Sequence, residues 1–154
     1  MGLISFLHHD KFRLHENPSM HPESPDRLNA IEAAIKQSDI GRLLVNTIPR
    51  SAIEADLCTI HSPSYIEHIE KAARVAKREN KLIQLDGDTF MSPKSLEVAK
   101  LAAGASFTAI DTLADDKVFG AFVAIRPPGH HAMANRQMGF CLFNNIALAA
   151  DYAH

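Results

Sequence analysis

Val118-Phe119-Gly120-Ala121-Phe122-Val123-Ala124-Ile125 is a nearly continuous apolar run, and Arg126-Pro127-Pro128-Gly129-His130-His131-Ala132 follows it directly. A short apolar run without polar alternation predicts a central strand buried on both faces. In open α/β sheets, sites form just past the carboxyl ends of strands, so chemistry is expected at 126–132. Pro127 and Pro128 stiffen that turn, and Gly129 permits backbone shapes that other residues resist. Imidazole titrates near neutral pH and suits proton transfer. A rigid loop carrying two of them suits a site that must hold its geometry. The plain alternative is a surface loop with two incidental histidines, and the position directly after a buried strand weighs against it. Metal ligation by both is awkward, because neighbouring side chains on an extended loop point apart.

Upstream of this strand, Ser92-Pro93 opens the longest predicted helix, running to about Ala114. Leu96, Ala99, Ala103, Phe107, Ile110 and Leu113 recur in it at helical spacing. Its small residues Ala102 to Ala105 allow close packing on a sheet. A second helix opens at Ser62-Pro63 with Tyr65, Ile66, Ile69, Ala72, Ala73 and Ala76 as its stripe, and a third at Ser24-Pro25, with Leu28, Ile31, Ala34 and Ile35 on one face. Leu3–Leu7 and Leu43–Ile48 read as strands, Ala52–Leu57 as a helical turn, 85–91 as loop, and 143 onward as a helix. Long helices between short apolar strands predict an α/β fold with a mainly parallel sheet flanked by helices.

The chain has 154 residues, is 46% hydrophobic and carries a formal charge of -2, which fits one globular domain and gives no support for nucleic-acid binding. Cys58 and Cys141 are far apart and form no CxxC pattern, so a reducing compartment fits better than a disulfide framework. The amino terminus lacks a basic leader, and no apolar run is long enough for a bilayer. These features predict a cytoplasmic protein without a membrane partner.

Arg126 to Ala132, followed by Met138-Gly139-Phe140-Cys141-Leu142-Phe143-Asn144-Asn145, resembles the central motif of the histone deacetylase superfamily, in a form closest to class II-like and bacterial deacetylase-like members. His21-Pro22-Glu23-Ser24-Pro25-Asp26-Arg27, Ile60 to Tyr65, and Asp86 to Ala99 resemble further segments of that family, in order. The resemblance covers essentially the whole chain and implies an arginase/deacetylase-like fold. It implies zinc-dependent hydrolysis of an acetyl amide on an acetylated lysine peptide or acetylated small amine. By the same resemblance, His131 is the general base and His130 its electrostatic partner. Gly139 and Phe140 form the wall of the acyl-lysine channel, Asp88 is a rim acid that accepts hydrogen bonds from substrate backbone amides, and Arg27 lines an internal cavity. Without the motif, Phe140 reads as a core aromatic, Asp88 as a turn residue and Arg27 as a surface residue. His8, His9 and His21 are expected to hold loops together, and His15, His61 and His68 to be structural or exposed.

The family's zinc ligands, two aspartates and a histidine, together with its oxyanion-stabilising tyrosine, have no counterpart in these residues. The expectation is that 1–154 is the N-terminal part of a single deacetylase domain, truncated before the metal-ligand strands, with no catalytic metal bound and no deacetylase activity alone. Its last strand is then expected to present an apolar sheet edge that invites self-association. Acetylpolyamine hydrolysis, arginase-like chemistry and a non-catalytic binding role are the competing readings. Gly129-His130-His131 and Gly139-Phe140-Cys141 disfavour arginase.

Overall fold

Short apolar runs become strands here only where two of them align, and three do. A computed structural model describes residues 2–116 and 118–154. In chain order the elements are β1 (Ile4–Leu7), α1 (Asp26–Gln37), β2 (Leu44–Thr47), α2 (Glu54–Leu57), α3 (Pro63–Glu79), β3 (Ile83–Gln84), β4 (Phe90–Met91), α4 (Ser95–Ala114), β5 (Gly120–Val123) and α5 (Asn145–Ala153). Single 3-10 turns at Asp10–Leu14 and Asp39–Leu43 follow β1 and precede β2.

The main sheet has the order β2-β1-β5, and both pairings are parallel. Phe6 faces Asn46 on one side and Phe122 on the other. The middle strand is therefore β1, in which Ser5, Phe6 and Leu7 are all buried. This corrects the reading of 118–125 as a central strand and fits the expectation that it presents a sheet edge in these residues alone. Its strand, β5, lies at an edge among the described residues, and Phe122 is 42% exposed. An apolar run reports that side chains want cover, but the lateral order of strands depends on pairing partners far away in sequence. A second correction is local: the segment read as loop at 85–91 contains β4, which pairs antiparallel with β3.

The helices start where their caps allow. The Ser62 hydroxyl accepts the Tyr65 amide at 3.3 Å, Pro63 stands at the first helical turn, and Asn80 closes α3 in the left-handed conformation. Every residue of the predicted α3 stripe is buried. In α1 the buried position is Leu28, with Ile31 and Ile35 half-buried and Ala34 exposed. The longest helix, α4, begins at Ser95, three residues after the expected start.

Two cores flank α4. Ala99, Ala103 and Phe107 pack with Ile66, Ile69, Leu142, Phe143 and Leu148. Val98, Leu101, Ala102, Ala105 and Ala109 pack with Phe6, Leu7, Phe12, Leu28 and Ala124. A helix apolar on most of its circumference is one buried on both sides, and this one joins the sheet layer to α3 and α5.

Candidate active site

Parallel strands deliver their following loops to one edge of the sheet, so the segments after β1 and β5 meet. A buried arginine joins them. Arg126 donates through Nε to Glu23 Oε1 at 2.5 Å, through Nη2 to Glu23 Oε2 at 2.8 Å, and to the carbonyls of Phe12 and His15 at 2.9 Å each. Asn17 Nδ2 adds a bond to Glu23 Oε2 at 2.7 Å. Arg126 and Glu23 are 2% and 1% exposed, so this is a fully buried bidentate pair. His15 lies beside it, with Nδ1 2.7 Å from Ser95 Oγ. Burial lowers the pKa of His15 to about 4, and the Arg126 charge acts in the same direction against the opposing pull of Glu23.

Past Arg126 the chain turns. The Ala132 amide donates to the Gly129 carbonyl at 3.2 Å, which places His130 and His131 at the two central positions of a turn. Their ring centroids are 4.2 Å apart, with an interplanar angle of 55°. The sequence expectation that adjacent side chains point apart is corrected by this geometry: it holds for an extended loop, and this segment is a turn. Gly129 is needed because the 143–145 backbone presses on it. A Cβ there would stand 2.5 Å from the Asn145 nitrogen and 2.6 Å from the Phe143 oxygen.

His61 secures the far side of the loop. Its Nε2 accepts the Asn144 amide at 2.9 Å, which leaves Nδ1 to donate to the Met133 carbonyl at 3.0 Å. Burial lowers its pKa, consistent with a neutral ring. The Asn144 side chain donates to the Ala132 carbonyl at 2.8 Å. The Tyr65 hydroxyl reaches the Leu142 carbonyl at 2.6 Å, and burial raises its pKa. Cys141 is buried, and burial raises its pKa too.

Gly139 and Phe140 both have left-handed backbones, with φ of 57° and 70°. For Phe140 that conformation costs on the order of 1–2 kcal/mol. At Gly139 a Cβ would lie 2.8 Å from His131 Cδ2, so the histidine ring rests directly on the glycine. The Phe140 amide donates to Thr89 Oγ1 at 3.2 Å, and the Phe140 ring meets His21 edge-on at a centroid distance of 4.7 Å. His21 Nε2 is 3.2 Å from the Asp88 carbonyl. The turn that carries Asp88 is closed by Asp86, whose Oδ1 accepts the amides of Asp88 and Thr89.

His131 thus opens into a cleft of about 570 Å3 that also contains Asp86, Asp88, Arg136 and Gly139. His130 lines a neighbouring apolar groove of about 430 Å3 with Val123, Ile125 and Ile146. Another depression, about 690 Å3, lies between β2 and α1 and holds none of the expected site residues. The structure places His131, Gly139 and Asp88 in one cleft, with His130 in the neighbouring groove and Phe140 linked to Asp88 through the Thr89 hydroxyl. Arg27 is apart from them, exposed in the first turn of α1, while the enclosed arginine is Arg126. Arg126, Glu23 and Thr89 enter the sequence reading only within motif segments, and His61 only as a structural or exposed residue. The ordered motif segments that contain Glu23 and His61 were the available signal.

Among the described residues, no group of three or more His, Cys, Asp or Glu side chains is arranged to hold a metal ion. The donor set present does not by itself fit a zinc site, and the neighbouring imidazoles are groups able to take and give protons.

Comparison with known proteins agrees with this arrangement. The histone deacetylase domain model matches residues 21–154. A probable deacetylase of Methanothermobacter thermautotrophicus is 37% identical over 147 residues, covering 96% of this chain and 41% of that protein. The human polyamine deacetylase HDAC10 is 31% identical, covering 99% of this chain and 24% of that protein. The crystal structure of the HDA15 HD domain superposes with a TM-score of 0.86 at 28% identity, covering 97% of this chain and 43% of that one. The chain spans less than half the length of these proteins, and with the matched domain, the shared sheet and the His130-His131 turn at its edge, it belongs to the histone deacetylase family.

Proposed function

We propose that this chain supplies the proton-transfer pair and part of the substrate channel for hydrolysis of an acetyl amide, on acetylated lysine or a related acetylated amine. The observation that carries this reading is the turn at 129–132. It holds two imidazoles side by side and rests one of them on Gly139, in the cleft that contains Asp88. In this reading His131 takes a proton from the attacking water and delivers it to the departing amine nitrogen, so the amide and water become acetate and free amine. His130 stands beside it as electrostatic partner. Gly139 and Phe140 bound the acyl-lysine stem, and Asp88 accepts hydrogen bonds at the rim. For Arg27, the family resemblance alone supports a place in an internal cavity.

The zinc ion implied by the family would polarise the acetyl carbonyl. Its ligands are proposed to lie outside these residues, which makes 1–154 the N-terminal part of a single deacetylase domain. A cytoplasmic location is proposed on two free cysteines. A second reading, hydrolysis of an acetylated polyamine, is favoured by the match to a polyamine deacetylase and by Asp86 and Asp88 in the cleft, whose charge suits a cationic substrate.

Zinc content and hydrolysis of an acetyl-lysine peptide and an N-acetylpolyamine, measured on this chain and on any longer natural form from the same gene, test these readings. The expected result is metal and turnover in the longer form alone, abolished by His131→Ala. Turnover by the 154-residue chain that His131→Ala removes would overturn the need for outside ligands. Neither metal nor turnover in either form would favour a binding protein built on this fold.

A further inference from the structure

One buried hydroxyl touches both halves of the substrate site. Thr89 is 1% exposed. Its Oγ1 accepts the Phe140 amide at 3.2 Å and lies 3.3 Å from Asp88 Oδ1, to which it donates. A threonine hydroxyl has one proton and two lone pairs, so both roles are met at once. The result is a three-member chain: Phe140 N–H to Thr89 O–H to the Asp88 carboxylate. Each bond polarises the next. The chain spans 51 residues of sequence between Thr89 and Phe140, and it ends on the exposed acid of the cleft.

The two ends need such a tie. Phe140 adopts a left-handed backbone that its side chain disfavours, and its amide has the Thr89 hydroxyl as its acceptor. Asp88 is exposed, and the carboxylate of an exposed aspartate rotates freely unless something holds one oxygen. The Thr89 main chain is itself fixed, because its amide donates to Asp86 Oδ1 at 2.8 Å and its carbonyl accepts from Leu85 at 2.9 Å. A rigid base therefore carries a hydroxyl that aims both groups.

We infer that Thr89 is a positioning residue that couples the channel wall at Phe140 to the rim acid Asp88, so that substrate stem and substrate backbone are gripped in a fixed relation. This rests on the reading of Phe140 and Asp88 given above.

The test compares the parent with Thr89→Val, which keeps the shape and removes the hydroxyl, and Thr89→Ser, which restores it. In the 154-residue chain, amide hydrogen exchange at Phe140 is expected to speed up on the order of tenfold in Thr89→Val. The Asn144 amide, held by His61, should be unchanged, and Thr89→Ser should return Phe140 to the parent rate. In a form of the enzyme that turns over, Thr89→Val is expected to raise KM for an acetyl-lysine peptide roughly fivefold with kcat little changed. The effect should shrink for a small acetylated amine that has no backbone amides for Asp88. Unchanged exchange at Phe140 overturns the coupling. Altered exchange with an unmoved KM, or equal effects on both substrates, overturns the positioning role. Absence of turnover in the parent counts against the proposed function, while the exchange measurement still decides whether Thr89 holds Phe140.

Discussion

Replacing Glu23 with alanine removes the counter-charge from a guanidinium that has no route to water. Arg126 then keeps its bonds to the Phe12 and His15 carbonyls but loses the two to the carboxylate, and Asn17 loses its carboxylate acceptor while keeping the Glu23 main-chain carbonyl. Breaking a buried, hydrogen-bonded pair from one side costs about 3–5 kcal/mol. For a chain of 154 residues, unfolding entropy near the midpoint makes 1 kcal/mol worth roughly 3 °C, so Tm is expected to fall by about 10–15 °C. Thermal melts followed by circular dichroism, with urea titration as a check on the slope, measure this. Because the loss comes from the unpaired charge, Glu23→Leu combined with Arg126→Met should melt above Glu23→Ala alone. A Glu23→Ala protein melting within about 3 °C of the parent, or a double variant melting below it, would refute the reasoning.

Three further outcomes are expected. The folded pKa of His15 lies near 4, below the usual 6.5, so its contribution is fully present above pH 6.5 and is lost as pH falls towards 4. This amounts to about 3 kcal/mol, and the difference in urea stability between the parent and His15→Gln should show it; parallel pH profiles would count against a neutral buried ring. Gly139→Ala forces a side chain into a left-handed position and against the His131 ring. It should cost about 1–2 kcal/mol and shift the His131 ring resonances in NMR spectra, and an unmoved ring would show that the glycine is not its seat. The open edge at β5, with Phe122 exposed, is expected to drive concentration-dependent association; sedimentation velocity giving one monomeric species at all concentrations would exclude it.

Local features were readable in advance and lateral ones were not. The α3 stripe from Tyr65 to Ala76 repeats at the helical period and begins at a capping serine, and all of it is buried. The strand of 118–125 was equally visible as an apolar run, but nothing in it says that Ile4–Leu7 pairs on its flank and occupies the middle of the sheet. β3 and β4 have two residues each, too few for any period to show. At the site, the paired histidines and the Gly139-Phe140 step were legible as a motif. The turn that sets their rings side by side depends on the approach of 143–145, which a linear reading does not contain. Nothing local marks Arg126 as internal: an arginine is expected at the surface unless its partner is known, and Glu23 lies 103 positions away.

That separation has a kinetic meaning. Closing a loop of about 100 residues costs roughly 4 kcal/mol of chain entropy, and contacts of such long range form late. On a ribosome, residues 12–23 emerge well before Arg126, and Glu23 stays unmatched until Arg126 leaves the exit tunnel. The paired histidines, which follow Arg126 directly, thus take their place only after this pairing can form. Agents that slow this late docking, such as charge-screening salt acting on an ion pair before it is buried, would delay completion of the site without touching α3 or α4.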